Sequence, residues 1–326
     1  MMYDAIQNFS KQFEYEPVVE NADFLPRATT FVVVGMGGSH LAADLIRAWK
    51  PDANIVVHRD YGLPSIARSE ERDVLVVISS YSGNTEEVLD ALHVARAEDF
   101  PVAVIAKGGK LLEEAYANTF PYVKLPDMDL QPRLAIGLSM LGLLALMGDT
   151  EGVREVQRLA ASLRPNDWEE KGKQYAEMLY GRIPLIYAST RNTALAYIWK
   201  ITLNETGKIP AFYNVFPELN HNEMTGFDIA ASTHELSKLF ACVMLKDETD
   251  DVRIIRRIKI TERLYHDRAI PAHTIVFPGE SRIYSLFSLI VLIEWVAYYI
   301  ATRYDRDPEE VPMIEEFKRN IADNRS

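Results

Sequence analysis

Short runs of apolar, often β-branched residues alternate with helical segments along the chain, and this alternation most limits the folds it can adopt. Runs such as Phe31–Val34, Val74–Ser79 and Val102–Ala106 have apolar residues at successive positions rather than at every second one. Strands of that kind are covered on both faces, which is typical of parallel sheets flanked by helices. The sequence therefore predicts the α/β class with mostly parallel sheets.

Two successive sets of strands and helices predict two domains, and a chain of 326 residues is long enough for two. The first set closes with an apolar helix over Leu134–Met147, and after a polar region a second set begins at Leu185. We place the boundary near residue 150, which gives domains 1–150 and 151–326. Residues 1–25 are predicted to form a polar helical arm.

The charge of the chain argues against some partners. It has 35 Lys and Arg residues against 47 Asp and Glu residues, a net charge of −12. This balance repels nucleic acid, and no basic stripe offsets it. The apolar stretch Ser285–Ile300 is shorter than the roughly 20 residues of a membrane span, and Glu294 interrupts it. We expect a buried helix there, and neither nucleic acid nor a membrane as a partner.

Cysteine and histidine usage predicts neither a disulfide nor a metal site. Cys242 is the only cysteine and lies in an apolar run, so we expect a buried thiol. Without a disulfide framework or a signal peptide, the reducing cytoplasm is the expected compartment. The histidines lack the spacing of a metal motif, and cysteine pairs are absent.

A glycine-rich turn, Gly35-Met36-Gly37-Gly38-Ser39, follows the first predicted strand and precedes a helix. Glycine lets the backbone approach a ligand closely, and a helix start offers unpaired N–H groups to an anion. A plain glycine turn with Ser39 as the helix cap is the other interpretation. The Rossmann fingerprint begins in the same way but needs glycine where His40 stands, which disfavours a nicotinamide oxidoreductase.

A second turn, Ser80-Tyr81-Ser82-Gly83-Asn84-Thr85, also joins a strand to a helix. Four of its side chains can donate hydrogen bonds to an anion, which is more than helix capping requires. Open α/β sheets bind ligands at the carboxyl ends of their strands. We therefore interpret the two turns as a phosphate cradle. Its predicted binding residues are Gly37, Gly38, Ser39, Ser80, Ser82, Asn84 and Thr85.

The segment 79–87 resembles the phosphosugar-binding loop of SIS (sugar isomerase) domains. Together with the segment 32–39 and later segments, the chain resembles the bifunctional phosphoglucose/phosphomannose isomerase family from about residue 30 to the C-terminus. The resemblance implies two SIS-type subdomains, each a mostly parallel sheet flanked by helices. It also implies interconversion of glucose 6-phosphate, and of mannose 6-phosphate, with fructose 6-phosphate through a cis-enediolate, without metal or cofactor.

Such a reaction needs ring opening, proton transfer between C2 and C1, and stabilisation of an enediolate. Glu205 lies on the rim of the apolar face of a helix predicted over Thr193–Thr206, where a partly buried carboxylate suits proton transfer. From the pattern alone a solvated surface glutamate is the favoured interpretation. The resemblance implies that Glu205 is the catalytic base.

His221 lies in the polar loop Pro217–Glu223, where Glu218 and Glu223 are expected to orient its imidazole. A surface-loop histidine is the other interpretation. The resemblance implies that this histidine assists ring opening and comes from the partner subunit of a homodimer. The family carries a second histidine where Asn220 stands in this chain.

Arg133 precedes the long apolar helix, and Lys318 lies on a charged helix face, so the pattern alone leaves both as surface residues. The resemblance implies that Arg133 stabilises the enediolate and that Lys318 reaches the sugar ring oxygen. Val311 stands where some relatives carry a threonine linked to the mannose 6-phosphate activity.

A non-catalytic regulator that binds a sugar phosphate is the alternative function. SIS domains in regulators keep the phosphate loop and lose the base, so the presence of Glu205, His221 and Arg133 together favours the enzyme.

Overall fold

A computed structural model describes residues 1–65, 73–279 and 281–323 of the chain. The strands are β1 Thr30–Val34, β2 Ile55–His58, β3 Val74–Ser80, β4 Val102–Ala106, β5 Tyr122–Lys124, β6 Ile183–Ser189, β7 Phe212–Phe216, β8 Phe240–Lys246 and β9 Ala272–Val276. The α-helices are Met2–Gln7, Gly38–Trp49, Glu86–Ala97, Gly109–Asn118, Ile136–Leu146, Thr150–Gln157, Leu159–Ser162, Glu169–Leu179, Thr193–Glu205, Glu223–Gly226, His234–Ser237, Val252–His266, Arg282–Arg303 and Pro312–Asp323. Shorter 3₁₀ helices are Phe9–Glu14, Ala22–Phe24, Pro165–Trp168, Thr190–Asn192 and Glu218–His221.

The contacts within the chain define two compact units. The N-terminal unit comprises Asn8–Arg164 and Gly279–Phe287, and the C-terminal unit comprises Met1–Gln7, Pro165–Pro278 and the residues from Ser288 onward. The chain passes from one unit to the other between Arg164 and Pro165, further along than the position near residue 150 that we expected. The reason is that the short helices after residue 150 pack on N-terminal elements, with Leu159–Ser162 against the 3₁₀ helix Phe9–Glu14.

The N-terminal unit is built on a five-stranded sheet in the order β2-β1-β3-β4-β5, with every adjacent pair parallel. In register, Val32 lies between Val56 and Val76. Every residue of β1, β3 and β4 is buried, because helices cover both faces of the sheet. The unalternating apolar runs of the sequence therefore predicted these strands correctly.

The C-terminal unit is built on a four-stranded parallel sheet in the order β7-β6-β8-β9. When β6 is matched to β1 and β8 to β3, the two sheets have the same strand order over four strands. The predicted fold of two mostly parallel sheets flanked by helices is confirmed.

The first residues of the chain are not the polar arm that the sequence suggested. Phe9 and Phe13 are almost fully buried, and the ring of Phe13 packs edge-on against Phe287 with 4.8 Å between the centroids. The buried side chain of Gln12 accepts a hydrogen bond of 2.6 Å from the backbone N–H of Gly137. Burial of these aromatic rings fixes the segment on the protein, although most of its other residues are polar.

The helix Arg282–Arg303 is long and apolar enough to cross a membrane by length and composition, but 83% of its apolar window is buried inside the protein. A core helix of a soluble protein passes the same test. Within the C-terminal unit, Trp295 donates its indole N–H to the carbonyl of Pro165 at 2.9 Å, and the buried Glu294 accepts a bond from Thr202. The expectation of a buried helix is confirmed.

We predict that Gly172→Ala destabilises the C-terminal unit, although alanine is the better helix former by about 1 kcal/mol. A Cβ at Gly172 would lie 2.4 Å from the Cβ of Trp295. Overpacking of this kind lowers the free energy of unfolding by about 1–3 kcal/mol. Thermal or urea unfolding measures the change.

Gly226→Ala is the matched control, since a Cβ at Gly226 meets nothing within 4 Å. We expect its stability to stay within about 0.5 kcal/mol of the unaltered protein. A melting temperature for Gly172→Ala at or above that of the unaltered protein would contradict the packing described here.

Candidate active site

The glycine-rich turn after β1 is shaped by close backbone packing. Gly37 has φ +54°, in the left-handed region that glycine adopts without strain, and it is exposed. A Cβ at Gly38 would lie 2.9 Å from the carbonyl oxygen of Pro132, so the helix Gly38–Trp49 begins directly against the segment before Ile136–Leu146. Its first N–H groups have no carbonyl partner four residues earlier, and they form the anion-binding feature of a helix start.

The turn after β3 holds its shape by bonds among its own residues. The buried hydroxyl of Ser80 lies 2.9 Å from the hydroxyl of Thr85 and accepts the backbone N–H of Gly83 at 3.1 Å. Ser82 and Asn84 are exposed, and the Oγ of Ser82 accepts the N–H of Asn84 at 3.3 Å. Ser80 therefore supports the turn from within, while Ser82 and Asn84 present polar atoms to solvent.

The turn after β4 packs closely against the turn after β3 and is hydrogen-bonded to it. Gly83 has φ +73°, and a Cβ there would lie 1.8 Å from the carbonyl oxygen of Gly108. The carbonyl of Gly83 accepts the N–H of Leu111 at 3.0 Å, and Asn84 Oδ1 accepts the N–H of Lys110 at 3.1 Å. These contacts fix the direction in which the helix Glu86–Ala97 leaves the sheet.

Ser39 joins the two predicted phosphate turns. Its hydroxyl accepts the backbone N–H of Tyr81 at 3.0 Å, and its carbonyl accepts the hydroxyl of Ser79 at 3.1 Å. A serine hydroxyl that accepts one bond still has its own proton to donate. The seven residues predicted to bind phosphate thus come together at the carboxyl ends of β1 and β3, and their roles stay a prediction.

Arg133 is the one predicted catalytic residue that the structure places in the N-terminal unit. Its side chain is buried, with a relative exposure of 7%, and its Cα would lie 3.2 Å from a Cβ at Gly38. The backbone of Arg133 therefore lies against the glycine-rich turn, and sequence reasoning had no way to know that this arginine is buried.

The corresponding position of the C-terminal sheet, after β8, carries carboxylates instead of hydroxyls. The buried carboxylate of Asp247 accepts the N–H of Thr249 at 2.9 Å and its hydroxyl at 2.7 Å. The amide of Asn192, also buried, lies 3.4 Å from the other oxygen of Asp247. Negative charge at this place disfavours an anionic ligand, and the phosphate cradle in the N-terminal unit stays a prediction.

Glu205 is the last residue of the helix Thr193–Glu205 and is half-buried. The buried side chains Leu195, Ile198 and Trp199 define the inner face of this helix, as the sequence pattern predicted. The backbone carbonyl of Glu205 accepts a hydrogen bond from the ammonium of Lys208. The side chain of Glu205 lies at the rim of the buried face, a position that suits proton transfer. Its catalytic role stays a prediction.

His221 is exposed, whereas the residues on either side of it are fixed. Asn220 donates to Thr261 at 3.0 Å and accepts from Arg257 at 3.2 Å. Glu223 accepts hydrogen bonds from the hydroxyl of Tyr187. The side chains of Asn220 and Glu223, before and after His221 in the chain, are therefore hydrogen-bonded, while His221 itself is exposed.

The two glutamates expected to orient His221 are occupied elsewhere. Glu218 accepts from Asn222 at 2.7 Å, and Glu223 accepts from Tyr187 and Asn214. Burial raises the pKa of the Tyr187 hydroxyl far above its usual range, so it remains protonated and donates. Sequence reasoning missed Tyr187 and Asn214 because each lies on a strand rather than in the loop of His221. A tyrosine within the apolar run of β6 was the one sequence signal of a buried hydrogen bond there.

Lys318 lies on the exposed helix Pro312–Asp323 and donates to Glu315 at 2.8 Å. This pair lowers the pKa of the Glu315 carboxyl. Within the described ranges, Glu205, His221 and Lys318 belong to three different elements of the C-terminal unit.

No group of histidine, cysteine and carboxylate side chains that could hold a metal ion occurs in the described part of the chain. Cys242 is buried on β8, and burial raises the pKa of its thiol well above the usual value. A thiol with this environment is inert rather than nucleophilic.

Comparison with known proteins agrees with this architecture. The profile of the family described as bacterial phospho-glucose isomerase C-terminal SIS domain matches residues 168–321. The solved structure of glucosamine-6-phosphate deaminase from Thermotoga maritima superimposes with a TM-score of 0.66 at 15% identity, covering 95% of this chain and 96% of that one. The fold is therefore that of the SIS-domain proteins.

Sequence similarity to curated proteins is much closer. The chain is 36% identical to the bifunctional phosphoglucose/phosphomannose isomerase of Caldicellulosiruptor bescii, covering 99% of both chains. It is 30% identical to the protein of the same name from Aquifex aeolicus, covering 98% of both. This chain belongs to the bifunctional phosphoglucose/phosphomannose isomerase family.

We predict that Gly83→Ala disrupts the turn after β3. An alanine there would hold a positive φ and collide with the backbone at Gly108, which cannot move without breaking the bonds between the two turns. The free energy of unfolding should fall by about 2–4 kcal/mol, as measured by chemical denaturation.

Gly108→Ala is the control in the facing turn. Gly108 has φ −173°, an extended conformation open to any residue, and a Cβ there meets nothing within 4 Å. Equal stability of the two variants would show that the turns are not interlocked as described.

Proposed function

We propose that this protein interconverts glucose 6-phosphate and mannose 6-phosphate with fructose 6-phosphate through a cis-enediolate. The observation that carries the proposal is the pair of joined turns after β1 and β3, with hydroxyl, amide and N–H donors at the carboxyl ends of two strands. Membership of the isomerase family supports the choice of phosphorylated hexoses as substrates.

The substrate phosphate is assigned to the two turns of the N-terminal unit. Ser82 and Asn84 are exposed and offer side-chain donors, and Gly37 and Gly38 let the backbone approach the phosphate oxygens. Ser39, Ser80 and Thr85 hold the turns in shape and complete the set of hydroxyl groups. Phosphate is thereby met by local dipoles in a chain whose net charge is −12.

Glu205 is assigned the role of base, taking the proton from C2 and returning it to C1. C2 is oxidised and C1 is reduced within one molecule, so the reaction needs no external electron acceptor and we propose no cofactor. Buried Arg133 supplies the fixed positive charge that an enediolate oxygen requires. His221 is assigned to ring opening and Lys318 to the ring oxygen.

We further propose a homodimer in which His221 acts in the site of the partner subunit. Two features of the C-terminal unit support this. His221 is exposed, and the side chains of Asn220 and Glu223 near it in the chain are held by hydrogen bonds. The helix Pro312–Asp323 exposes Met313 and Phe317 on one face, and apolar residues of this kind favour burial against a protein surface.

The cytoplasm is the proposed compartment. A single buried cysteine needs no oxidising environment, and phosphorylated sugars are intracellular metabolites.

We predict that Glu205→Gln lowers isomerase turnover about 10²- to 10⁴-fold with little change in substrate affinity, since the amide keeps the shape and loses the basic oxygen. A coupled assay measures turnover from glucose 6-phosphate and mannose 6-phosphate side by side, and calorimetry measures binding. Glu170→Gln, which removes an exposed carboxylate from another helix of the same unit, should leave turnover unchanged.

Normal turnover by Glu205→Gln would reject Glu205 as the base. Binding of sugar phosphates by the unaltered protein without any proton exchange at C2 would support the non-catalytic regulator instead.

Mixing two inactive variants tests the exchange of His221. In a heterodimer of Glu205→Gln with His221→Asn, one site carries both defects and the other has Glu205 and His221 intact. Equal mixing with subunit exchange should restore about a quarter of the unaltered activity, because about half of the dimers are mixed and each has one intact site. No recovery, in mixtures shown by mass to contain heterodimers, would place His221 in the site of its own subunit.

A further inference from the structure

Lys208 has an unusual backbone conformation for its residue type. It lies three residues after Glu205 with φ +59°, in the left-handed region where glycine or asparagine is usual. A glycine would fit this place without strain, and the preceding residue Gly207 shows that the chain uses glycine nearby. Lysine at this position carries backbone strain that glycine would avoid, and the hydrogen bonds of its side chain offset that cost.

The side chain of Lys208 reaches three backbone carbonyls. Its ammonium donates to the carbonyl of Glu205 and to the carbonyl of Glu310, and it lies 3.4 Å from the carbonyl of Pro308. A lysine ammonium has three donors, and these three acceptors match that number. All four residues belong to the C-terminal unit.

These bonds connect two places that the proposed reaction uses. One acceptor is the last residue of the helix Thr193–Glu205, where a carbonyl lacks an intrahelical partner and the helix dipole favours a cation. The other two belong to the segment just before the helix Pro312–Asp323, which carries Lys318. The ammonium of Lys208 therefore links the end of the helix Thr193–Glu205 to the segment that precedes the helix Pro312–Asp323.

We propose that Lys208 is a positioning residue for Glu205, which fixes the helix end on the Pro308–Glu310 segment and so holds the carboxylate in place for proton transfer. This inference rests on the proposed function, in which Glu205 is the base. Without the ammonium, the last turn of the helix Thr193–Glu205 loses its hydrogen bond to Lys208 and is free to shift. A displacement of about 1 Å at a reacting group lowers the rate about a hundredfold.

The test compares Lys208→Met and Lys208→Gly with the unaltered protein. Methionine keeps much of the side-chain length without the ammonium, and glycine also removes the backbone strain, so at least one variant is expected to fold normally. We expect kcat for glucose 6-phosphate to fall about tenfold to a hundredfold while KM changes less than about threefold. Lys173→Met, which removes a lysine paired with Glu169 in the same unit, is the control and should keep full turnover.

A double-variant cycle separates positioning from a general structural effect. In the Glu205→Gln background, Lys208→Met should reduce the residual turnover less than about twofold, because the group that it positions is already lost. Full activity per folded molecule in both Lys208 variants, or the same fold-reduction with and without Glu205, would overturn the inference. Absence of isomerase activity in the unaltered protein would instead overturn the proposed function.

Discussion

The contact between the turns after β3 and β4 is the constraint on which the N-terminal unit depends. Gly83 lies so close to the carbonyl of Gly108 that any side chain would collide with it. The carbonyl of Gly83 and the side-chain oxygen of Asn84 accept N–H groups at the start of the helix Gly109–Asn118. Because Ser39 also ties the turn after β1 to Tyr81, three strand ends form one rigid edge. A rigid edge of N–H and hydroxyl donors binds an anion without first having to be ordered.

The C-terminal unit repeats the strand order of the first unit but uses it differently. Where the first unit has serines and glycines, the second has the buried carboxylate of Asp247 bonded to Thr249. The catalytic groups proposed for it lie on elements around the sheet, with Glu205 at a helix end and His221 on a 3₁₀ turn. In the proposed function the same architecture supplies a binding edge in one unit and acid–base groups in the other, which agrees with the rule that sites are additions to a fold.

Most of the fold could be predicted from the sequence, because strands buried on both faces leave a distinct pattern. The helix predicted over Thr193–Thr206 ends at Glu205, and the buried helix expected at Ser285–Ile300 lies within Arg282–Arg303. The N-terminal segment was predicted wrongly, since its aromatic side chains pack on Phe287, which lies far along the chain. The joined turns were predictable as a pair because parallel strands end at one edge.

Residue types and their spacing determined that this chain forms two parallel α/β sheets and carries a serine- and glycine-rich turn after β3. They placed Glu205 on the rim of a helix face, whereas its role as the base was implied only by the family resemblance. Only the tertiary structure decided that Arg133 is buried beside a glycine turn, that Glu223 binds Tyr187 instead of orienting His221, and that Lys208 spans to Glu310. The reason is physical: periodicity records which face of an element is buried, whereas a side-chain hydrogen bond depends on which distant element lies opposite.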